Sequence, residues 1–268
     1  MAAPPPPPPG SLPLSYRQSI LGYQSSLIVR KGSVMCGRYA FYEHQELSER
    51  LTNVRLDTAF FDQFRPTWNA APSQQLPVIV EDEGKVAVRG MTWGLIPKWT
   101  KPGERPKVAP INARSETVAE KPMFRSLVKY RRCIVPANGF YEWKRSTEGK
   151  QPFYIEPAGT RLMLFAGLFD EAKGVGGDPL ESFSIITTHA NEAMSNLHDR
   201  MPVILNDDDL EAWLDRDLTD FEPLEHLMRP VPDEDIDIHQ VSREVNNARH
   251  NGPELIEPLD DSGGPDSS

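Results

Sequence analysis

Four separated stretches of this chain carry side chains that could do chemistry together. The first is Met35-Cys36-Gly37-Arg38. A Met directly before a Cys and a small residue has the form of an initiator methionine. Its removal would leave Cys36 with a free α-amine beside its thiol. An α-amine titrates near about 7.7–8, so part of it is neutral at pH 7. Such a 1,2-aminothiol condenses with an aldehyde: the amine forms an imine, the thiol adds to the imine carbon, and a five-membered thiazolidine closes. An internal cysteine cannot do this, because its nitrogen is an amide. The second stretch, Pro110 to Thr117, holds Asn112, which could orient an amine or a phosphate, and Arg114, which could grip a phosphate bidentately. In the third, Glu142 stands between Tyr141 and Trp143. A carboxyl walled by aromatics loses hydration, its pKa rises, and it suits general acid–base work near neutral pH. The fourth, His198-Asp199-Arg200, offers an imidazole for proton transfer or oxyanion stabilisation, a guanidinium for phosphate, and a carboxylate to hold either.

Plainer readings stand beside these. Asn112 also fits a satisfied polar turn, and Glu142 an exposed strand position. Cys133 reads as a small buried apolar residue. The loop Trp93-Gly94-Leu95-Ile96-Pro97-Lys98-Trp99, followed by Lys101, Arg105 and Lys107, has the make-up of a single-strand platform: Trp93 and Trp99 to stack bases, cations for phosphates. Both Trp also fit a core. With residues still attached ahead of Cys36, the thiol could act as a cysteine-peptidase nucleophile with His198 as base, which needs no free amine. A non-covalent reader of modified or single-stranded DNA is the third alternative.

Residues 1–34 open with Ala-Ala and six prolines and contain no acid. They form a Pro-rich extension with no route to a packed core, expected to be absent from the working protein through a start at Met35 or cleavage before Cys36, with a targeting or retained extension as the alternative. The remaining roughly 220 residues suit one domain, expected over 35–253, followed by a disordered acidic tail over 254–268. Two cysteines exclude a disulfide framework and a multi-Cys zinc site, so no metal or cofactor is expected. No apolar run approaches the roughly 20 residues of a membrane span. The net charge of -10 is unevenly spread. Residues 98–150 hold 13 Lys/Arg against 5 Asp/Glu, whereas 207–237 hold 13 Asp/Glu against 2 Arg, so a local basic face remains available to phosphates.

The elements that must position these groups are short. Strands are expected at 38–41, 76–80, 86–93 and 133–135, with a hairpin turn over 81–85 and turns at 68–72 and 136–139. Helical patterns fall at 43–51, 124–130, 192–197, 207–214 and 221–228, and Phe60, Phe61 and Phe64 are expected in the core. The alternation implies an α+β domain on a curved, mostly antiparallel, barrel-like sheet with peripheral helices.

With the stretches in this order, the chain resembles the SOS-response-associated peptidase family. The similarity rests on Met35 to Arg38, Trp68-Asn69-Ala70-Ala71-Pro72, Trp93 to Pro97, Ile111 to Thr117, Arg132 to Trp143, His198 to Pro202 and Val241 to Asn247. The resemblance implies one α+β barrel-like domain with a basic DNA channel, and a substrate that is an abasic site in single-stranded DNA. It implies that Cys36 forms the thiazolidine cross-link and that Asn112 positions the amine or a phosphate. Glu142 would act as acid and base, His198 would assist proton transfer, and Arg38, Arg114 and Arg200 would hold the DNA backbone. Self-cleavage to expose the cysteine, action as a monomer, replication-fork proteins as partners, and a nuclear location, with the cytoplasm as the alternative, belong to the same expectation.

Overall fold

The computed structural model describes residues 36–51, 64–82, 84–104, 106, 108–147 and 149–259. The expectations for residues 1–34, Met35, Phe60, Phe61, Arg105, Lys107 and the tail from 260 onward lie outside the described residues. In chain order the elements are β1 (Tyr39–Phe41), α1 (Gln45–Arg50), β2 (Thr67–Ala70), β3 (Gln75–Asp82), β4 (Lys85–Trp93), β5 (Asn112–Arg114), α2 (Leu127–Tyr130), β6 (Arg132–Ala137) and β7 (Gly139–Ser146). There follow β8 (Gly149–Pro157), β9 (Met163–Lys173), β10 (Pro179–His189), α3 (Glu192–Ser195), β11 (Arg200–Pro202), α4 (Leu210–Leu214) and β12 (Ile236–Gln240), with several 3-10 turns between them.

Five strands close into a barrel: β4 pairs with β3, β3 with β6, β6 with β9, β9 with β10, and β10 returns to β4. A ring of five cannot alternate direction all the way round. The parallel seam falls between β10 and β4, and β5 continues it alongside Ile185–Thr187. A second, antiparallel sheet runs in the order β12-β8-β7-β1-β2. Its side chains alternate between two environments, as the two-residue period of a strand requires. Tyr39, Phe41, Phe140 and Ile155 enter the main core with Val78, Ile79, Leu164 and Phe165. Ala40, Tyr141 and Tyr154 point the other way and are covered by Val241, Val245 and Leu255 from the C-terminal segment. The α+β fold expected from the sequence, one domain around a curved, mostly antiparallel barrel, is what the chain forms.

Local differences have physical causes. Trp68-Asn69-Ala70, expected in a turn, lies in β2, because Asn69 bonds across to the C-terminal segment; the turn comes at Ser73, whose φ is +74°. The 136–139 turn shrinks to Asn138. Its Oδ1 accepts the Tyr42 and Glu43 N–H groups (2.8 and 3.1 Å), which lets β6 and β7 run almost to its edges. The 207–214 helix forms as a 3-10 turn over Asp207–Asp209 leading into α4, whereas the 221–228 helix is a 3-10 turn over Glu222–Met228. The packed chain passes the expected boundary at Pro253: Leu255 is fully buried and the Leu259 N–H donates to the Gln240 carbonyl (2.9 Å).

Candidate active site

β7 carries Glu142 two residues after Phe140, so both side chains face the main core, while Tyr141 and Trp143 face the opposite side. The aromatic neighbours in sequence are therefore not what desolvates Glu142. Burial on the core side does so, with Phe153 directly across on β8. Glu142 is 2% exposed and Cys36 is 3% exposed. The Cys36 backbone N–H donates to Glu142 Oε1 at 2.7 Å, and the Trp143 N–H reaches Oε2 at 3.4 Å. Burial pushes the Glu142 carboxyl up to about 7; bonds from the Cys36 and Trp143 N–H groups and the Cys36 side chain oppose this, and the Asp199 charge adds to it. Burial, then the Glu142 charge and hydrogen bond, drive the Cys36 thiol well above its ordinary range, with the Arg200 charge pulling weakly the other way. Together these describe a resting thiol that keeps its proton beside a carboxyl able to take it. Cys36 adopts φ +42°, a backbone region uncommon for a residue with a side chain.

The His198-Asp199-Arg200 turn lies within electrostatic reach of this pair, Asp199 acting on Glu142 and Arg200 on Cys36. His198 Nδ1 lies 3.1 Å from the Arg200 N–H and 2.8 Å from Asp199 Oδ1. Burial lowers the imidazole pKa, Asp199 opposes it, and Arg200 and Arg145 lower it further. The neutral ring accepts from the Arg200 N–H; a protonated ring turns to Asp199. Arg200 departs from expectation. It is 2% exposed, crosses β10, and gives its guanidinium to both carboxylate oxygens of Glu116 and to the Thr187 carbonyl (2.6 Å). Its charge is committed inside the protein, so it is not placed to grip a DNA backbone.

The remaining expected residues divide. Asn112 lies on β5 opposite Ile185 of β10, two residues before Arg114, which is exposed opposite Thr187. Arg38 is half-buried. Its Nη1 donates to Asn69 Oδ1 (2.6 Å) and to the Val245 carbonyl (2.8 Å), which makes it a clamp on the C-terminal segment. Trp93 is fully buried, edge-on to Tyr39 (5.1 Å) and donating Nε1–H to the Ile111 carbonyl (3.1 Å), so it is core and not a stacking platform. Trp99, at 57% exposure, is open to stacking.

Sequence reasoning did not single out Glu116, which binds Arg200 from 84 residues away, or Arg145, whose charge acts on His198. It also read Asn69 only as a turn residue; Nδ2 in fact donates to the carbonyls of Val245 (3.2 Å), Asn247 (3.1 Å) and His250 (2.9 Å). Among the described residues, Glu244, His250 and Glu254 have metal-like spacing, but carboxylates occupy both imidazole nitrogens (3.3 and 2.7 Å), and the group lies on the C-terminal segment.

The sequence model described as SOS response associated peptidase (SRAP) matches residues 35–248. The abasic site processing protein YoqW of Bacillus subtilis is 40% identical over 225 residues, 83% of this chain and 99% of that protein. The abasic site processing protein HMCES of Xenopus tropicalis is 37% identical over 226 residues, 73% of this chain and 67% of that protein. A crystal structure of a Bacteroides thetaiotaomicron protein superposes with a TM-score of 0.75 at 26% identity, covering 84% of this chain and all of that one. By its sequence match from the cysteine through the closing segment, and by relatives matched almost end to end, the chain belongs to the SOS response associated peptidase family.

Proposed function

We propose that this protein processes abasic sites in single-stranded DNA by capturing the ring-opened sugar aldehyde on Cys36 as a thiazolidine. The observation that carries this reading is the 2.7 Å bond from the Cys36 nitrogen to Glu142, a buried carboxyl raised to about 7. Once the residues ahead of Cys36 are lost, that nitrogen becomes an α-amine resting on a proton acceptor. Glu142 takes a proton from the ammonium, and the neutral amine attacks the aldehyde carbon. The protonated Glu142 then returns a proton to the hydroxyl, which leaves as water and gives the imine. Cys36 Sγ adds to the imine carbon, and the thiol proton ends on nitrogen. One C–N and one C–S bond form, one water leaves, and nothing is oxidised. A group titrating near the working pH is suited to both directions of this proton traffic. His198 takes the role of assisting proton transfer, and Asn112 that of orienting the amine or the flanking phosphate.

The same pair suits self-removal of the upstream segment. Sγ attacks the carbonyl carbon of residue 35, the peptide C–N bond breaks as Glu142 hands a proton to the departing nitrogen, and water hydrolyses the resulting thioester. The unusual φ of Cys36, immediately after that bond, favours this reading. The working place follows the substrate, at replication forks.

The test mixes protein beginning at Cys36 with single-stranded DNA holding one abasic site and runs a denaturing gel. A covalent band is expected, absent with intact DNA and absent in Cys36→Ala or after acetylation of the amine. Capture that survives acetylation refutes the thiazolidine. Peptide cleavage in trans without a covalent band points to a cysteine peptidase. Salt-sensitive binding that ignores Cys36→Ala points to a non-covalent reader.

A further inference from the structure

Four charged side chains are buried among the described residues: Arg132, Glu142, Asp170 and Arg200. Glu142 and Arg200 belong to the candidate site, and Arg132 ties α2 to α4 through the carbonyls of Val128 (2.8 Å) and Trp213 (2.6 Å). Asp170, on β9 and 2% exposed, belongs to neither group. Among the described residues it has no cationic partner. Its Oδ2 accepts the Lys98 N–H at 2.8 Å, and its Oδ1 accepts the Glu171 N–H at 3.0 Å. Directly opposite on β10 stands Ser182, whose Oγ accepts the Ile96 N–H at 2.7 Å. Two neighbouring side chains thus hold alternate residues of one loop. Gly94 is held as well, by the Phe183 carbonyl at 2.9 Å, and the Pro97–Thr100 turn closes with a bond of 2.8 Å. Trp99 projects from that turn into solvent.

Burying a carboxylate without a cation is costly. It is offset here because both oxygens meet backbone N–H donors that no neutral isostere can satisfy together. An amide in its place would accept from one N–H and press its own NH2 group against the other. We propose that Asp170, with Ser182, is a positioning residue that holds Trp99 as a preorganised stacking platform for a base beside the abasic site. This rests on the reading of the substrate as single-stranded DNA. A platform fixed before binding spares the ordering cost that a loose loop would meet on each encounter.

The experiment uses protein beginning at Cys36 and single-stranded DNA with one abasic site. It compares wild type, Asp170→Asn, Ser182→Ala, Trp99→Ala and both double variants with Trp99→Ala. Removing the indole is expected to raise the half-saturating DNA concentration about 5- to 150-fold, the range for one stacked base. Asp170→Asn and Ser182→Ala are each expected to raise it about threefold to tenfold when Trp99 is present. In the Trp99→Ala background each is expected to change it less than about twofold, because residues acting through one another do not add. A second measurement needs no DNA: trypsin cleavage of the native protein after Lys98 is expected to quicken in both variants. Equal effects with and without the Trp99 indole, or unchanged cleavage after Lys98, overturn the assignment of Asp170. If the wild type itself neither binds nor captures the DNA, the substrate reading falls and the platform role with it, while the protease result still reports on the loop.

Discussion

Replacing Glu142 by Gln trades stability against chemistry, and the size of the trade follows from its burial. In the unfolded chain the carboxyl titrates near its ordinary 4.5, and in the folded chain near about 7. The native state therefore binds this proton more tightly than the unfolded state. Between those two values stability falls as pH rises, and above the upper one it levels off. At 1.36 kcal/mol per pH unit the difference comes to about 3 kcal/mol of destabilisation at about pH 8, and none at about pH 4. Gln keeps an oxygen to accept the Cys36 N–H and never ionises. Urea unfolding of Glu142→Gln against its parent, both carrying Cys36→Ala so that the upstream segment stays attached, should give similar midpoints at about pH 4. By about pH 8 the Gln variant should be the more stable by up to about 3 kcal/mol. A difference that stays constant across that range would refute the reasoning. In protein trimmed to Cys36 the gap should shrink, because an ammonium in place of the amide favours the ionised carboxylate. Capture by trimmed Glu142→Gln should fall by about 10²–10⁴-fold, the usual weight of a general acid–base group.

Other expectations are simpler. Trp93→Ala should cost about 3–5 kcal/mol in chemical unfolding as a core truncation, while Trp99→Ala should stay within about 0.5 kcal/mol and lose DNA affinity only. Asn69→Ala removes three donated bonds and the acceptor of Arg38, and should lower stability by about 2–4 kcal/mol, with faster hydrogen exchange over residues 245–250. Gly139→Ala would place a methyl 2.4 Å from the Tyr154 ring, so it should destabilise by about 3 kcal/mol or fail to fold, as a thermal melt would report.

Much of this was legible in the residue order. The period-two runs of β3 and β4, the buried Cys133-Ile134-Val135 strand and the low-hydration setting of Glu142 could all be read locally. The cause of that setting could not: Tyr141 and Trp143 look like its walls in sequence, yet strand alternation sends them to the other face. Arg200 looks like a phosphate ligand because a guanidinium announces charge and not its partner, and that partner lies 84 residues away; the hold of Arg38 on Val245, 207 residues on, is equally invisible. Trp93 and Trp99 sit in one motif with opposite fates, decided by which of them meets Tyr39 and Phe183 in the barrel. Asp170 carries no motif at all; its meaning comes from facing Ser182 across a strand pair.

Residues 245–250 close over the face of the second sheet turned away from Glu142, pinned by contacts to Arg38 and Asn69 that span between 176 and 208 residues. A ribosome making this chain reaches Arg38 well before the segment it holds, 207 residues later. Until that segment emerges, Ala40, Tyr141 and Tyr154 have nothing to pack against, so the sheet that carries Glu142 completes its packing only after residues far along the chain are made.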